Sequence, residues 1–246
     1  MPHRFFAPAL AADSSVIDLP GDEADHARRV LRLACGDLVE VFDGRGRQVR
    51  ARVEEVDRGA VRVRILEPSP PARETAVRYT LAQALLKGDA MDDVVRDATM
   101  LGVWAVQPLV TDRAIPSLRG GASNRVARWQ RIAVSSVKQC GRAVVPEIRP
   151  PLALAAWLAE DAAPGGRLMF VAPGIGGGAP LQDVSAQQRP VAASILIGPE
   201  GGWSPTEIAQ AGQAGVSLVT LGPRVLRAER AAVAILAVLQ FAWKDA

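Results

Sequence analysis

The sequence predicts an α/β protein with two parts, a small β-rich N-terminal domain and a larger C-terminal domain built on a mainly parallel sheet. From Asp37 to Leu66, apolar and polar residues alternate with the period of a strand. From Tyr79 onward, strand patterns alternate with helical ones, which is typical of a parallel sheet with crossover helices. Between them, Pro68–Pro71 excludes a helix and an inner strand. We therefore predict domains at residues 1–70 and 72–246.

Composition limits the protein to a few classes. Its 246 residues are 49% hydrophobic and 22% charged, which is typical of a soluble globular protein. Two cysteines without a CxxC pair and two histidines support neither a disulfide framework nor a zinc site. The N-terminus lacks a signal-peptide pattern, and the apolar run Ala231–Leu239 is far shorter than the ~20 residues of a membrane span. We expect a cytoplasmic protein without a metal or a membrane partner.

The N-terminal alternation predicts a β-meander of three strands. Its apolar positions are Val39, Val41, Val49, Ala51, Val53, Val61, Val63 and Ile65. Asp43–Gly46 and Asp57–Gly59 supply the turns. Four arginines occupy the opposite face of two of these strands: Arg50, Arg52, Arg62 and Arg64. Two interpretations stay open, because such arginines either solvate an exposed sheet or neutralise the phosphates of an RNA.

The second domain begins with a strand, Tyr79–Leu86, and with a helix that Asp89 caps and Gly102 ends. Apolar residues at helical spacing place one face of this helix in the core. Further elements are expected in chain order: a strand at 103–106, helices at 124–137 and 152–160, and a strand at 168–171. The glycine-dense Gly174–Gly178 lies outside any strand-to-helix GxGxxG context, so it is predicted to be a flexible loop.

Two strands near the C-terminus each run into a glycine-containing turn and then a helix. The first is Ile195–Ile197 with the turn Gly198–Trp203, and the second is Leu218–Leu221 with the turn Gly222–Arg227. Ser204–Glu207 has the spacing of a capping box and starts the helix after the first turn. Glycines let main-chain groups approach a ligand closely, so the two turns predict a cofactor pocket. P-loop and Rossmann signatures are absent, which disfavours nucleoside triphosphates.

The second turn is rich in charge and leads into an apolar helix. Arg224, Arg227, Glu229 and Arg230 form either a surface ion-pair cluster or part of a functional crevice, and we favour the crevice because they follow a strand at the carboxyl edge of the sheet. The helix from Ala231 to Trp243 has no wide polar face, so we predict that it packs partly in a dimer interface.

Several motifs, in order along the chain, carry a family resemblance. They are His26 through Val30-Leu31-Arg32, Phe42-Asp43-Gly44, Gln139-Cys140-Gly141-Arg142, Ile197-Gly198-Pro199-Glu200-Gly201-Gly202, and Leu221-Gly222-Pro223-Arg224-Val225-Leu226-Arg227 with Glu229. Over nearly its whole length the chain resembles the RsmE family of ribosomal RNA small-subunit methyltransferases, of the SPOUT class. The resemblance implies an N-terminal PUA-like β-barrel that binds RNA and a SPOUT α/β domain with a C-terminal trefoil knot. It also implies a homodimer that transfers methyl from S-adenosyl-L-methionine to N3 of one uridine in 16S rRNA of the small ribosomal subunit.

The resemblance further implies roles for individual residues. Cofactor contacts are expected from Leu196, Ile197, Gly198, Glu200, Gly201, Gly202, Leu221, Gly222, Val225 and Leu226. Arg227 or Arg142 would stabilise the charge that develops on the uracil oxygens, with Glu229 as the base or as the residue that orients the arginine. RNA contacts are expected from seven arginines: Arg4, Arg29, Arg32, Arg50, Arg52, Arg62 and Arg64.

Three positions depart from the family pattern. Ala228 and Arg230 stand where threonines are common, and Lys138 stands where an acid often precedes Gln-Cys-Gly-Arg. Two other functions stay open: a SPOUT methyltransferase that acts on a tRNA ribose, and a non-catalytic RNA-binding assembly factor. The intact glycines of both turns argue against the assembly factor.

Overall fold

The computed structural model describes residues 2–114, 121–160, 166–175, 177–186 and 188–245. Its contacts divide the chain into two compact units. The first comprises Met1–Glu74 together with Val134–Val145, and the second comprises Thr75–Ala133 together with Pro146–Ala246. The sequence predicts a division at residues 68–71, and the structure adds the segment 134–145 to the first unit.

The first unit is built on one sheet. Its elements are β1 His3–Phe6, β2 Val16–Asp18, α1 Gly21–Asp25, a π-helical turn His26–Val30, β3 Leu38–Phe42, β4 Gln48–Val56 and β5 Val61–Pro68. Within the described residues the strand order is β1-β3-β4-β5-β2. β1 runs parallel to β3, and the other neighbours are antiparallel.

The predicted β-meander of β3, β4 and β5 is confirmed. Val49, Ala51 and Val53 are buried from one face of β4, and Val63 of β5 is buried with them. Arg52, between these positions, is exposed on the other face. The alternation therefore sets which face of the sheet is in the core. β1, β2 and the helical turns before β3 were not predicted, because these short segments carry no clear period.

The segment 134–145 joins the first unit through apolar contacts and main-chain hydrogen bonds. Val137 and Ala143 are buried against Phe42. The amide of Gly46 donates to the carbonyl of Ala143 at 3.1 Å, and Val144 forms a β-bridge with Gly44. Burial of these side chains stabilises a contact between residues almost a hundred positions apart in the sequence.

The second unit is an α/β structure. Its elements are β6 Arg78–Ala84, α2 Ala90–Met100, β7 Ala105–Val110, α3 Ala122–Cys140, β8 Glu147–Ile148, β9 Leu152–Ala153, α4 Leu154–Leu158, β10 Arg167–Phe170, β11 Ala179–Pro180, α5 Leu181–Ser185, β12 Ala192–Ile197, α6 Pro205–Gln213, β13 Ser217–Thr220 and α7 Ala228–Ala242. The last part of α3 belongs to the first unit. In the described part of the chain, the strand order is β11-β13-β10-β12-β6-β7-β8, with β9 also beside β7, and every pair is parallel.

The order of the central strands positions the site. β10 lies between β12 and β13, and Phe170 at its end pairs with Ile197 on one side and Val219 on the other. Because the strands are parallel, the loops that follow all three leave the sheet at the same edge. One strand, β10, therefore separates the strands that precede the two predicted glycine turns. The loop after β10 leaves the sheet between these turns.

Some local predictions were wrong. The predicted helix 152–160 is helical only at Leu154–Leu158 and begins with a short strand. Asp89 takes the N-cap position of α2, yet its side chain makes no capping hydrogen bond and accepts one from Arg128 at 3.2 Å. The predicted stop at Gly102 is confirmed by its positive φ of 85°.

Candidate active site

A cleft of about 740 Å³ opens in the second unit, at the carboxyl edge of the parallel sheet. Loops after three neighbouring strands form most of its wall. The contributing segments are Phe170–Pro173 and Ile175 after β10, Ile197–Trp203 after β12, and Leu221, Gly222 and Arg224–Glu229 after β13. Arg113, from the loop after β7, also lines it. This edge of a parallel α/β sheet is where ligands usually bind.

Two glycines of the loop after β12 are tightly packed against their neighbours. A Cβ on Gly198 would come within 3.2 Å of the indole of Trp203, and a Cβ on Gly201 within 3.2 Å of the Cβ of Arg113. Both distances are shorter than ordinary contacts between packed side chains, so a larger residue would force movement. At these two glycines the main chain of the loop thus forms the cleft wall without side-chain bulk.

The indole of Trp203 ties this loop to the strand beside it. Its ring is buried, and its Nε1 donates to the carbonyl of Phe170 at 2.9 Å. Phe170 is the last residue of β10. The hydrogen bond therefore fixes the end of the loop relative to the middle strand of the site.

The predicted capping box at the start of α6 is confirmed. The Glu207 amide donates to Ser204 Oγ at 3.2 Å, and the Ser204 amide donates to Glu207 Oε2 at 2.7 Å. The same two side chains bind the loop after β7, because Ser204 Oγ donates to Asp112 Oδ2 at 2.6 Å and the Asp112 amide donates to Glu207 Oε1 at 2.9 Å. The capping box thus holds a third segment beside the cleft.

The loop after β13 leads directly into α7. Gly222 has a φ of 137°, a backbone conformation that a side chain would strain. Arg227 is the N-cap residue, and its carbonyl accepts from the amides of Arg230 at 3.0 Å and Ala231 at 2.8 Å. Glu229 lies half-buried in the first helical turn, where a carboxylate interacts favourably with the helix N-terminus. The loop therefore presents an arginine and a carboxylate, two positions apart in the chain, at the cleft.

Sequence comparison identifies the family. The chain matches the RNA methyltransferase domain family over residues 73–240 and the RNA methyltransferase PUA domain family over residues 19–66. It is 32% identical to ribosomal RNA small subunit methyltransferase E of Synechocystis sp. over 225 residues, which cover 91% of this chain and 72% of that relative. The chain belongs to the methyltransferase E family. A similar protein from Mycobacterium bovis is 30% identical over 94% of this chain and 88% of its own.

Solved structures of methyltransferases resemble this member of the methyltransferase E family over nearly the whole chain. A methyltransferase from Legionella pneumophila in complex with the cofactor SAM superposes with a TM-score of 0.89 at 32% identity, covering 98% of both chains. A ribosomal RNA small subunit methyltransferase E from Neisseria gonorrhoeae bound to S-adenosyl methionine has a TM-score of 0.88 at 33% identity, covering 99% of this chain and 98% of the other.

In this methyltransferase E family member, the residues predicted to bind the cofactor come together at the cleft, with one exception. Nine of the ten line it: Ile197, Gly198, Glu200, Gly201, Gly202, Leu221, Gly222, Val225 and Leu226. Leu196 is fully buried in the core below, with Met169 and Trp203. Successive residues of a strand point to opposite faces, which explains why Leu196 and Ile197 differ.

The three residues predicted to be catalytic do not all lie at the cleft. Arg227 and Glu229 line it. Arg142 lies in the first unit, where its buried guanidinium donates to Glu74 with Nε–Oε2 and Nη2–Oε2 distances of 2.9 and 2.6 Å. The arginine of the Gln-Cys-Gly-Arg motif therefore holds a carboxylate of its own unit.

Arg4, which is predicted to contact RNA, is held by main-chain carbonyls of its own unit. Its guanidinium is buried and donates to the carbonyls of Val137 at 2.6 Å and Arg142 at 2.6 Å, and also to those of Lys138 and Gly141. Burial lowers the pKa of Arg4, and the Glu40 carboxylate opposes this shift. Carbonyls at a helix C-terminus need such donors, so Arg4 caps the end of α3 and is occupied there.

The other six arginines are on the surface of the first unit, but most of them are paired. Arg50 pairs with Glu67, Arg62 with Asp18 and Glu55, Arg64 with Glu54, and Arg29 with Asp25. No carboxylate among the described residues pairs with Arg32 or Arg52. Arg32 also has a positive φ of 54°, which is uncommon for a residue with a side chain. The positive charge available to a partner is therefore smaller than the sequence suggests.

Sequence reasoning missed two parts of the cleft. Phe170 and Val171 were interpreted as the end of a buried strand, and Ala172 and Pro173 were assigned no role. Ile175 was interpreted as part of a flexible loop, of which Gly176 lies outside the described residues. Arg113 follows β7, and no glycine or motif marks it. The segment Phe170–Pro173 could have been found from its position at the end of a strand, because ligands of a parallel α/β sheet usually bind at the carboxyl ends of its strands.

Two further properties of the family member concern metals and membranes. Among the described residues, no group of three or more His, Cys, Asp or Glu side chains could hold a metal ion. None of the described helices is both long and apolar enough to span a bilayer.

Proposed function

We propose that this protein transfers a methyl group from S-adenosyl-L-methionine to N3 of one uridine in 16S rRNA of the small ribosomal subunit. Methylation of ribosomal RNA with this donor follows from membership of the methyltransferase E family. The base, the atom and the single target are the finer part of the proposal. The observation that carries it is the cleft itself, at which both glycine turns meet.

The residues of the cleft fit the proposed donor. Its wall is main chain at Gly198, Gly201 and Gly222, where side chains would collide with neighbours or strain the backbone. Main-chain amides and carbonyls can therefore hydrogen-bond the adenosine and methionine parts of the donor, while Ile197, Leu221 and Leu226 supply apolar contacts. When bound, the donor supplies a methyl group on a sulfonium, which is already a good electrophile.

The residues of the loop after β13 would act on the uridine. N3 of uracil carries a proton and attacks only after that proton leaves, with negative charge spreading to the two flanking carbonyl oxygens. We propose that Glu229 accepts the N3 proton, or orients the arginine, and that Arg227 stabilises the charge on an oxygen. The N3 electron pair then forms the bond to carbon as the carbon–sulfur bond breaks. Exclusion of water and in-line alignment complete the contribution of the protein.

Arg142 remains a candidate for the same charge-stabilising role. Its pairing with Glu74 gives it a second, structural explanation. We favour Arg227 because Arg227 lines the cleft. The two explanations predict different effects of Arg142 substitutions on turnover and on stability.

The two units would have different tasks. We propose that residues 1–70 form an RNA-binding PUA-like β-barrel and that residues 72–246 form the SPOUT methyltransferase domain with its C-terminal trefoil knot. The match of residues 19–66 to a methyltransferase PUA domain supports the first assignment. Cytoplasmic location belongs to the same proposal, because small ribosomal subunits are the substrate.

We further propose that the protein is a homodimer that associates through α7. Ile235, Leu236 and Leu239 of this helix are buried within the unit, whereas Phe241 is 85% and Val238 is 41% exposed. Exposed apolar side chains of this size on an otherwise apolar helix favour a protein partner. Light scattering should give the mass of a dimer, and Phe241→Glu should shift it toward the monomer.

The proposed function is tested on small subunits from a strain that lacks this protein. Purified protein and radiolabelled donor should transfer label to 16S rRNA, and nucleoside mass spectrometry should identify 3-methyluridine at one position. Label in tRNA ribose, with none in small subunits, would favour the related SPOUT activity. Absence of donor binding by calorimetry, with well-folded protein, would favour the assembly factor.

A further inference from the structure

Arg113 holds an exposed positive charge in a fixed position at the cleft. Its Nη1 donates to the carbonyl of Gly201 at 3.0 Å, and its side-chain stem lies against Gly201. The residue itself is exposed. A guanidinium has five N–H donors, so this single hydrogen bond leaves most of them available to a ligand.

The main chain at Arg113 is anchored independently of its side chain. The preceding residue, Asp112, is bound through its amide to Glu207 and through its carboxylate to Ser204, at 2.9 and 2.6 Å. Both partners belong to the capping box of α6. A side chain that starts from a fixed backbone and rests on a second loop loses little freedom when it binds a ligand, which favours binding.

The positive charges that line the cleft are not explained by the proposed donor alone. Arg113, Arg224 and Arg227 all line the cleft, and among the described residues none of them pairs with a carboxylate. Glu200 accepts a hydrogen bond from the Lys87 amide. S-adenosyl-L-methionine carries a sulfonium, an ammonium and one carboxylate, so it is a net cation. Glu229 lines the cleft as well, so its charged side chains are three arginines and two glutamates, a net positive charge. A net positive cleft around a cationic ligand favours the binding of an anion as well.

We propose that Arg113 binds a backbone phosphate of the RNA strand that brings the target nucleotide to the cleft. The inference rests on the proposed function and adds an RNA contact on the second unit. Bidentate hydrogen bonding to a phosphate is the geometry that a guanidinium favours. Because the same guanidinium binds Gly201, the RNA contact would lie directly beside the loop that forms the cofactor wall.

The test compares Arg113→Ala with Arg131→Ala. Arg131 is a matched control, because it is an exposed arginine of the second unit that donates to a main-chain carbonyl, of Ala127 at 3.4 Å, and does not line the cleft. RNA affinity is measured by filter binding of a radiolabelled 16S rRNA transcript, with S-adenosylhomocysteine present. Donor affinity is measured by calorimetry, and circular dichroism checks folding.

Arg113→Ala should weaken RNA binding about tenfold and make its salt dependence shallower by about one phosphate contact, while donor affinity stays within about twofold. Arg113→Lys should recover part of the affinity, and Arg131→Ala should match the unchanged protein. Weakened donor binding with unchanged RNA binding would overturn the proposal and make Arg113 a positioning residue for the cofactor loop. Unchanged binding of both would also overturn it.

A failure of the inference about Arg113 can be distinguished from a failure of the proposed function. If small subunits receive no methyl group, the proposed function fails, and filter binding still reports whether Arg113 binds RNA. If methylation occurs and Arg113→Ala binds the transcript as tightly as the unchanged protein, only the inference about Arg113 fails.

Discussion

The indole of Trp203 lies against Gly198 so closely that a Cβ at this glycine would come within 3.2 Å of the ring. The indole cannot easily move away, because it is buried and its Nε1 is hydrogen-bonded to the carbonyl of Phe170. The glycine is therefore required both for the shape of the cleft wall and for the packing behind it. A tight turn that faces the cleft on one side and a buried ring on the other leaves little room for a side chain.

Gly198→Ala should weaken donor binding. The added methyl group overpacks the site at a cost of about 1–3 kcal/mol, part of which should appear as at least a tenfold increase in the donor Kd. Gly212→Ala is the matched control, since Gly212 lies in α6 with no neighbouring atom within 4 Å of an added Cβ. That change should leave the donor Kd unchanged. Equal donor affinity in the two variants would contradict the role given to Trp203.

The ion pair of Arg142 and Glu74 should contribute mainly to stability. Arg142 is almost fully buried, so Glu74→Ala, which removes the carboxylate from a largely buried ion pair, should cost about 3–5 kcal/mol. Glu67→Ala breaks an exposed pair with Arg50 in the same unit and should cost less than about 1 kcal/mol. Denaturant unfolding measures both. A large loss of turnover by Arg142→Lys at unchanged stability would instead support Arg142 as a catalytic residue.

The sequence was sufficient for features that depend on local periodicity or spacing. The alternation around Ala51 predicted the meander, and the spacing of Ser204 and Glu207 predicted the capping box, because both depend on residues near each other in the chain. It was insufficient for features set by strand order. Arg113 reaches the cleft because the loop after β7 is bound by the capping box, and Arg4 caps α3 across more than 130 residues. Neither contact has a local signature.

Exposed arginines of the first unit should differ in their effect on RNA binding according to their pairing. Arg62 pairs with Asp18 at 2.8 Å and Glu55 at 3.0 Å, and the hydrogen bond to Asp18 raises the pKa of Arg62. Arg52 has no such partner among the described residues. Arg52→Ala should therefore weaken RNA binding several-fold and reduce the salt slope by about 0.7–0.9, whereas Arg62→Ala should have a smaller effect. A larger effect of Arg62→Ala than of Arg52→Ala would show that Asp18 and Glu55 release Arg62 when RNA binds.

Arg227 and Glu229 should control turnover rather than donor binding. Arg227→Ala removes a charge that acts on the developing oxyanion, so kcat should fall by about 10²–10³ with the donor Kd unchanged. Arg230→Ala is the control, because Arg230 is exposed and does not line the cleft. Glu229→Gln distinguishes a base from an orienting residue. A fall in kcat that persists when Glu229→Gln is combined with Arg227→Ala identifies a base, and a fall that disappears in that combination identifies a residue that acts by orienting Arg227.

Tyr79 provides a prediction about alkaline stability. It is the only tyrosine of the chain, it stacks on Trp243, and its buried hydroxyl has no hydrogen-bond partner among the described residues. Burial, together with the nearby Asp245 carboxylate, raises the pKa of Tyr79. Below about pH 10, both folded and unfolded chains keep the phenolic proton, so stability is unaffected.

Above about pH 10 the unfolded chain loses this proton and the folded chain keeps it, so Tyr79 should reduce the free energy of unfolding by up to about 1.4 kcal/mol per pH unit. Tyr79→Phe should remove this alkaline component of the pH dependence of stability. Urea unfolding at several alkaline pH values measures the difference between the two proteins. The absorbance of tyrosinate in the folded protein provides a second measurement. If it develops with the ordinary pKa of a tyrosine, the phenol is accessible to solvent and the prediction is contradicted.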